Sequence, residues 1–235
     1  MNEPIVQFSN VTKKFPGLEA LKGISFELPC GKIIGFVGPN GSGKSTVLKL
    51  MAGLLQPDRG TVTISGMKSG RLSAEHVVFM HETEQLYGFY KIHELIDFFH
   101  SMYKDFDIQK AESMLDFLEL NRNKRISGLS KGGVMRLKLV LALSRRAPLI
   151  LLDEPLSGLD PMVRDSIIKG LISFLDMEEQ TVVLTTHEID EIEPLLDVVA
   201  ALKEGKLYQM AEVDDIRSKY GLSLIEWMKQ AYAVS

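Results

Sequence analysis

A glycine, four further residues and then Gly-Lys-Ser make up the run Gly38-Pro39-Asn40-Gly41-Ser42-Gly43-Lys44-Ser45-Thr46, a pattern that few backbone geometries can accommodate. The apolar run Ile33–Val37 precedes it and Val47–Met51 follows. An apolar run, a glycine-rich turn and a second apolar stretch read as a buried strand, a tight loop and the opening of a helix. The glycines let successive backbone N–H groups converge, and the helix start adds the positive end of its dipole at the same point. Such a nest suits phosphate oxygens. In that arrangement Lys44 reaches the outer phosphates of a nucleotide and the Ser45 hydroxyl faces Mg²⁺. An ordinary Gly-rich turn is the alternative, yet average composition yields the whole pattern in only about one chain of this length in a hundred.

The bulk composition narrows the partner. With 235 residues, 45% hydrophobic and 25% charged, the chain has the make-up of a globular α/β protein with a substantial core. A net charge of −4 gives no basic surface for nucleic acid, so no nucleic-acid partner is expected. Cys30 is the single cysteine, which excludes an internal disulfide and a cysteine-built zinc cluster. Met1–Pro4 lacks the charged and apolar regions of a signal peptide. No apolar run reaches the roughly 18 residues of a membrane span. A soluble chain is expected, any membrane role coming through a partner.

Taken in order, Ile5–Phe8 alternates as a strand, Val11–Gly17 reads as a turn, and Leu21–Leu28 is a second strand with period two. These predict an antiparallel layer beside the phosphate-loop strand. After short strands at Thr61–Ser65 and His76–Met80 the pattern becomes helical. Ile92, Leu95, Ile96 and Phe99, then Ala111, Met114, Leu115 and Leu118, recur at 3.6-residue spacing. A helical subdomain is therefore expected at 84–145, inserted into a core of 1–83 and 146–210. Strand–helix alternation resumes with Leu149–Leu152, a helix at Pro161–Leu175 and a strand at Thr181–Thr186. A short helix at Glu188–Pro194, a strand at Val198–Leu202 and an edge strand at Lys206–Tyr208 follow. A helical extension over 211–235 breaks at Gly221, and Leu224, Trp227, Met228 and Ala231 form an apolar stripe that packs on its own domain or on a partner.

Two further constellations carry chemistry. Leu149-Ile150-Leu151-Leu152-Asp153-Glu154 is a doubly buried strand that delivers two carboxylates at its C-terminal end, where open parallel sheets bind ligands. Asp153 is placed to hold Mg²⁺ opposite Ser45, and Glu154 to act as general base or water-orienting group at the γ-phosphate. Leu129-Ser130-Lys131-Gly132-Gly133 opens an apolar helix at Val134–Leu143. There Ser130 can cap the helix while Gly132 and Gly133 expose N–H groups, a second anion-binding helix start.

The order of these motifs resembles the nucleotide-binding subunits of ATP-binding cassette (ABC) transporters: phosphate loop at 38–46, signature at 129–133, Leu149–Glu154, Ser157-Gly158-Leu159-Asp160, then His187. The resemblance spans about residues 4–210. It implies an α/β P-loop NTPase fold, with a RecA-like mainly parallel sheet, an antiparallel β subdomain and an inserted helical subdomain. It implies ATP and Mg²⁺ as cofactors, with Gly38 through Thr46 holding the phosphates. Phe15 falls where the family stacks an aromatic ring on adenine, though its local sequence also fits a core phenylalanine. Ser130, Gly132 and Asp160 correspond to groups that contact ATP bound to a second subunit, and His187 to the histidine that holds γ-phosphate and attacking water. Lys44, Glu154 and His187 are then the catalytic set; Ser45, Asp153 and Glu82 hold the metal.

Two departures stand out. Lys131 replaces the first of two signature glycines and Gly133 stands where glutamine is usual. The family's glutamine at the junction with the helical subdomain is replaced, in the alignment of Val77–Glu82, by Glu82, with Gln85 a looser candidate. The resemblance implies an ATPase whose partners are a second ATP-binding subunit and a transmembrane permease, peripheral on the inner face of the membrane and working in export. A soluble ABC-type ATPase acting on ribosomes, DNA or assembly is the rival reading. A kinase or GTPase fits less well, since no guanine-binding Asn/Thr-Lys-x-Asp motif occurs.

Overall fold

The computed structural model describes residues 3–71, 73–81, 85–187, 189 and 192–233. Its strands fall into two sheets. Strands β1 (Val6–Phe15), β2 (Leu18–Leu28), β4 (Arg59–Ile64) and β5 (Met67–Lys68) form an antiparallel sheet in the order β2-β1-β4-β5. The second sheet runs β10 (Lys206–Glu212), β9 (Val198–Lys203), β3 (Ile33–Val37), β8 (Thr181–Thr186), β7 (Leu149–Leu152), β6 (Val77–Met80). Every neighbouring pair in it is parallel except β9–β10, so the antiparallel strand sits at the edge.

Strict alternation explains why the central strands are apolar throughout. Ile34 and Phe36 of β3, Leu149 and Leu151 of β7 and Val183 of β8 face one core, shared with β1, β2 and helix α1 (Lys44–Met51). Ile33 and Val37, Ile150 and Leu152, and Val182 and Leu184 face the other core. That second core is roofed by helices α2 (Ile92–Met102), α3 (Ile108–Phe117), α4 (Lys131–Leu143) and α5 (Pro161–Phe174). A parallel sheet covered on both faces needs this continuous hydrophobicity. Of the predicted stripes, Ile92, Leu95, Ile96, Ala111, Met114, Leu115 and Leu118 are buried in it, while Phe99 is half-buried against its margin. The helical insertion thus shares its core with the sheet.

The structure departs from the sequence reading in several places. β1 does not stop at Phe8 but continues to Phe15, leaving a turn of two residues where seven were expected. A bulge conceals the continuation: the register with β2 shifts between Phe8 and Val11, Asn10 takes φ 49°, and its N–H donates to Ser25 Oγ at 2.8 Å. One extra residue breaks the period-two pattern without ending the strand. Glu193–Leu195 forms a 3₁₀ turn; the short helix expected at Glu188–Pro194 falls largely on Glu188, Asp190 and Glu191, which lie outside the described residues. The C-terminal extension forms α6 (Val213–Tyr220) and α7 (Leu224–Ala233), separated by Gly221 in the left-handed region. Leu224, Trp227 and Ala231 are buried in the second core, so the stripe packs on its own chain. Among the described residues, no helix is long and apolar enough to cross a membrane.

Candidate functional site

The carboxyl ends of β3, β7, β8 and β6 lie side by side along one edge of the parallel sheet, and each delivers a piece of the site. From β3 the chain enters the loop Gly38–Gly43 and then α1. Gly43 is the N-cap of that helix at φ 108°, and a Cβ there would meet Ala20 O at 2.8 Å. Only glycine takes both the dihedral and the close approach to β2. Lys44 opens the helix with its ammonium buried, donating to Gly38 O at 2.8 Å and lying 3.5 Å from Glu154 Oε1.

β7 delivers the carboxylates. Asp153 is 2% exposed, and its Oδ1 accepts from Ser45 Oγ at 3.0 Å and from Thr185 Oγ1 at 2.8 Å. A carboxylate so far from water needs such donors. Beside it His81, at the end of β6, places Nε2 3.7 Å from Asp153 Oδ2. Glu154 takes φ 49°, a left-handed conformation that costs a non-glycine residue about 1 kcal/mol or more. Its N–H donates to Thr185 Oγ1 at 3.0 Å, which holds the turn. The carboxylate then lies between Lys44 and His187, with His187 Nδ1 2.9 Å from Glu154 Oε2. The residues named from sequence at the phosphate loop, Asp153, Glu154 and His187 therefore converge. Thr185 was missed: it reads as one more β-branched residue of a strand, and nothing local signals that its hydroxyl serves two site residues.

Phe15 is 38% exposed at the tip of the β1–β2 hairpin, with Lys13 Nζ 5.7 Å from its ring centre; it is not a core residue. Glu82 lies outside the described residues. Ser130 caps α4, its Oγ accepting from Gly133 N at 3.2 Å, and the helix begins at Lys131 rather than Val134. Gly132 and Gly133 are buried rather than displayed. Gly133 has its N–H committed to the cap, while a Cβ on Gly132 would lie 2.8 Å from Val163 Cγ2. Asp160 likewise caps α5, accepting from Val163 N at 3.0 Å.

This sequence and fold have relatives among known proteins. The sequence profile described as "ABC transporter" matches residues 21–157. An uncharacterised ABC transporter ATP-binding protein of Methanocaldococcus jannaschii is 32% identical over 231 residues, covering 96% of this chain and 84% of the relative. Relatives named for opposite directions of transport both match. The Nod factor export ATP-binding protein I of Rhizobium etli is 33% identical, over 86% of this chain and 66% of its own. The sulfate/thiosulfate import ATP-binding protein CysA of a Synechocystis strain is 32% identical, over 88% and 61%. A solved ATP-binding cassette, in a dimeric post-hydrolysis state bound to ADP and Pi, superposes with a TM-score of 0.75 at 26% identity, over 88% of this chain and 98% of that one. Profile, relatives and topology agree that this chain belongs to the ABC transporter family as one of its ATP-binding subunits, an ATPase of the P-loop NTPase fold coupled to transport.

Proposed function

We propose that this subunit hydrolyses ATP in a head-to-tail dimer and drives export through a partner permease at the inner face of a cell membrane. The observation that carries the reading is the contiguity of Lys44, Glu154 and His187, at 3.5 and 2.9 Å, beside the Ser45–Asp153 contact of 3.0 Å. Lys44 and the loop N–H groups hold the β- and γ-phosphates. Glu154 accepts the proton of the attacking water, and His187, bonded to that carboxylate, keeps it oriented toward the γ-phosphate. The Ser45 hydroxyl and Asp153 are hard oxygen donors 3.0 Å apart, a set that fits Mg²⁺. When bound, that ion supplies charge neutralisation between the phosphates. Phe15 offers an exposed ring to adenine, while Ser130 and Asp160, exposed at the starts of α4 and α5, face the nucleotide of the second subunit, with Gly132 buried behind them.

The core of 1–83 and 146–210 binds, and the helical segment 84–145 transmits. A groove of about 280 Å³ lies between β6 and α2/α4, lined by Phe79, Leu86, Phe99, Tyr103 and Leu141; it suits the permease's coupling segment. Export is supported by the exporter relative, 33% identical against 32% for the importer. Glu154→Gln removes the base and keeps the shape. The expected result is undiminished ATP binding, turnover reduced by about a hundredfold or more, and an ATP-bound dimer on a sizing column. Full turnover in that variant refutes the assignment. Recovery of the chain from cells with ribosomes rather than with a membrane protein refutes the transport role.

A further inference from the structure

The lysine that replaces a signature glycine is tied down within its own chain. Lys131, the first residue of α4, sends its ammonium to the loop after β7, donating to Ser157 O at 2.9 Å and Gly158 O at 3.4 Å. Gly158 sits at φ 63°, and a Cβ there would lie 2.6 Å from Lys131 Nζ, so the glycine leaves the ammonium its place. One residue further, Gly132 packs against Val163, whose N–H donates to Asp160 Oδ1 at 3.0 Å. The start of α4 and the Ser157–Val163 segment are thus joined side by side, although 26 residues separate Lys131 from Ser157.

We propose that Lys131 is a positioning residue that fastens the signature turn to the Ser157–Asp160 loop. Ser130 and Asp160 then meet the second subunit's nucleotide as one preassembled face. The inference rests on the dimer reading above. An ammonium has three donors and no acceptor, so two carbonyls at one point satisfy it well, and a charged donor makes the stronger kind of hydrogen bond. Two segments ordered before association do not have to be ordered during it, which favours the complex without adding a contact. The role predicted for Lys131 is therefore in dimerisation and not in nucleotide capture, which belongs to Lys44 in the same chain.

The test uses the full chain carrying Glu154→Gln, with ATP-driven dimerisation followed by sedimentation and nucleotide affinity of the dilute monomer followed with a fluorescent ATP analogue. Lys131→Met is expected to weaken dimerisation about tenfold, the equivalent of about 1.4 kcal/mol, and to leave monomer affinity within about twofold. Lys131→Arg, which can still donate to both carbonyls, restores the dimer. A Lys131→Met protein that dimerises like its parent overturns the inference. So does one that loses monomer affinity. If the parent forms no dimer with ATP, the proposed function falls and this inference with it; a dimer indifferent to Lys131 sinks the inference alone.

Discussion

Replacing Thr185 by valine removes one hydroxyl and leaves the shape of the side chain nearly unchanged. That hydroxyl is fully buried, donates to Asp153 Oδ1 at 2.8 Å and accepts from Glu154 N at 3.0 Å. The first bond has a charged acceptor, and losing it costs about 1.5–3 kcal/mol. The second loss strands a backbone N–H, costing about 1–3 kcal/mol if water stays out. Glu154 is 12% exposed on its side chain, so the second term falls toward its lower end, and the added methyl returns about 0.8 kcal/mol. The net expectation is about 2–3 kcal/mol of stability lost. Without its anchor the left-handed turn at Glu154 relaxes, and turnover falls on the order of tenfold or more as the base leaves its position. Urea denaturation read at constant m-value gives the first quantity and steady-state ATP hydrolysis the second. Thr185→Ser keeps the hydroxyl and is expected to lose only about 1 kcal/mol while retaining turnover. A valine variant within about 1 kcal/mol of the parent, with unchanged hydrolysis, refutes the anchoring role.

Two further substitutions test the scaffold. Asp107 caps α3 through Lys110 N at 3.0 Å and accepts from the Arg146 guanidinium at 2.8 Å; these bonds, the arginine first, hold its carboxyl below the ordinary 3.8. A depressed folded-state value contributes stability above the unfolded value and loses it as pH falls through the lower one. Asp107→Ala is therefore expected to cost about 1 kcal/mol at neutral pH, with the gap to the parent narrowing below about pH 4 in acid unfolding curves; a gap independent of pH contradicts this. Trp227→Ala should lose about 3–5 kcal/mol in thermal or urea unfolding, since the indole is 3% exposed in the core. A loss below about 1 kcal/mol would mean that α7 is only loosely attached.

The parts of the site that could be read in the sequence are those in which neighbouring residues constrain one another. The phosphate loop, the strands Leu149–Leu152 and Thr181–Thr186, and the cap at Ser130 all depend on glycine dihedrals, alternation or a side chain reaching three residues ahead. The hidden length of β1 shows the limit of the same reasoning. A bulge at Asn10 shifts the period by one, and a pattern reader sees an end where the backbone only slips. The stripe on α7 showed that it would be covered but not by what.

What joins these pieces is the order of strands in the sheet, and no local pattern encodes it. The contact between Ser45 and Asp153 spans 108 residues, and it exists because β3 and β7 both flank β8 and end at one edge. Thr185 holds both the Asp153 carboxylate and the Glu154 N–H only because β8 lies between those two strands. Lys131 finds its carbonyls only because α4 packs against the α5 side of the loop after β7. The sequence alone determined which chemical groups this protein possesses and the local turns that present them. Tertiary structure decided which of those groups touch, since burying both faces of one sheet sets the separations between residues far apart in the chain.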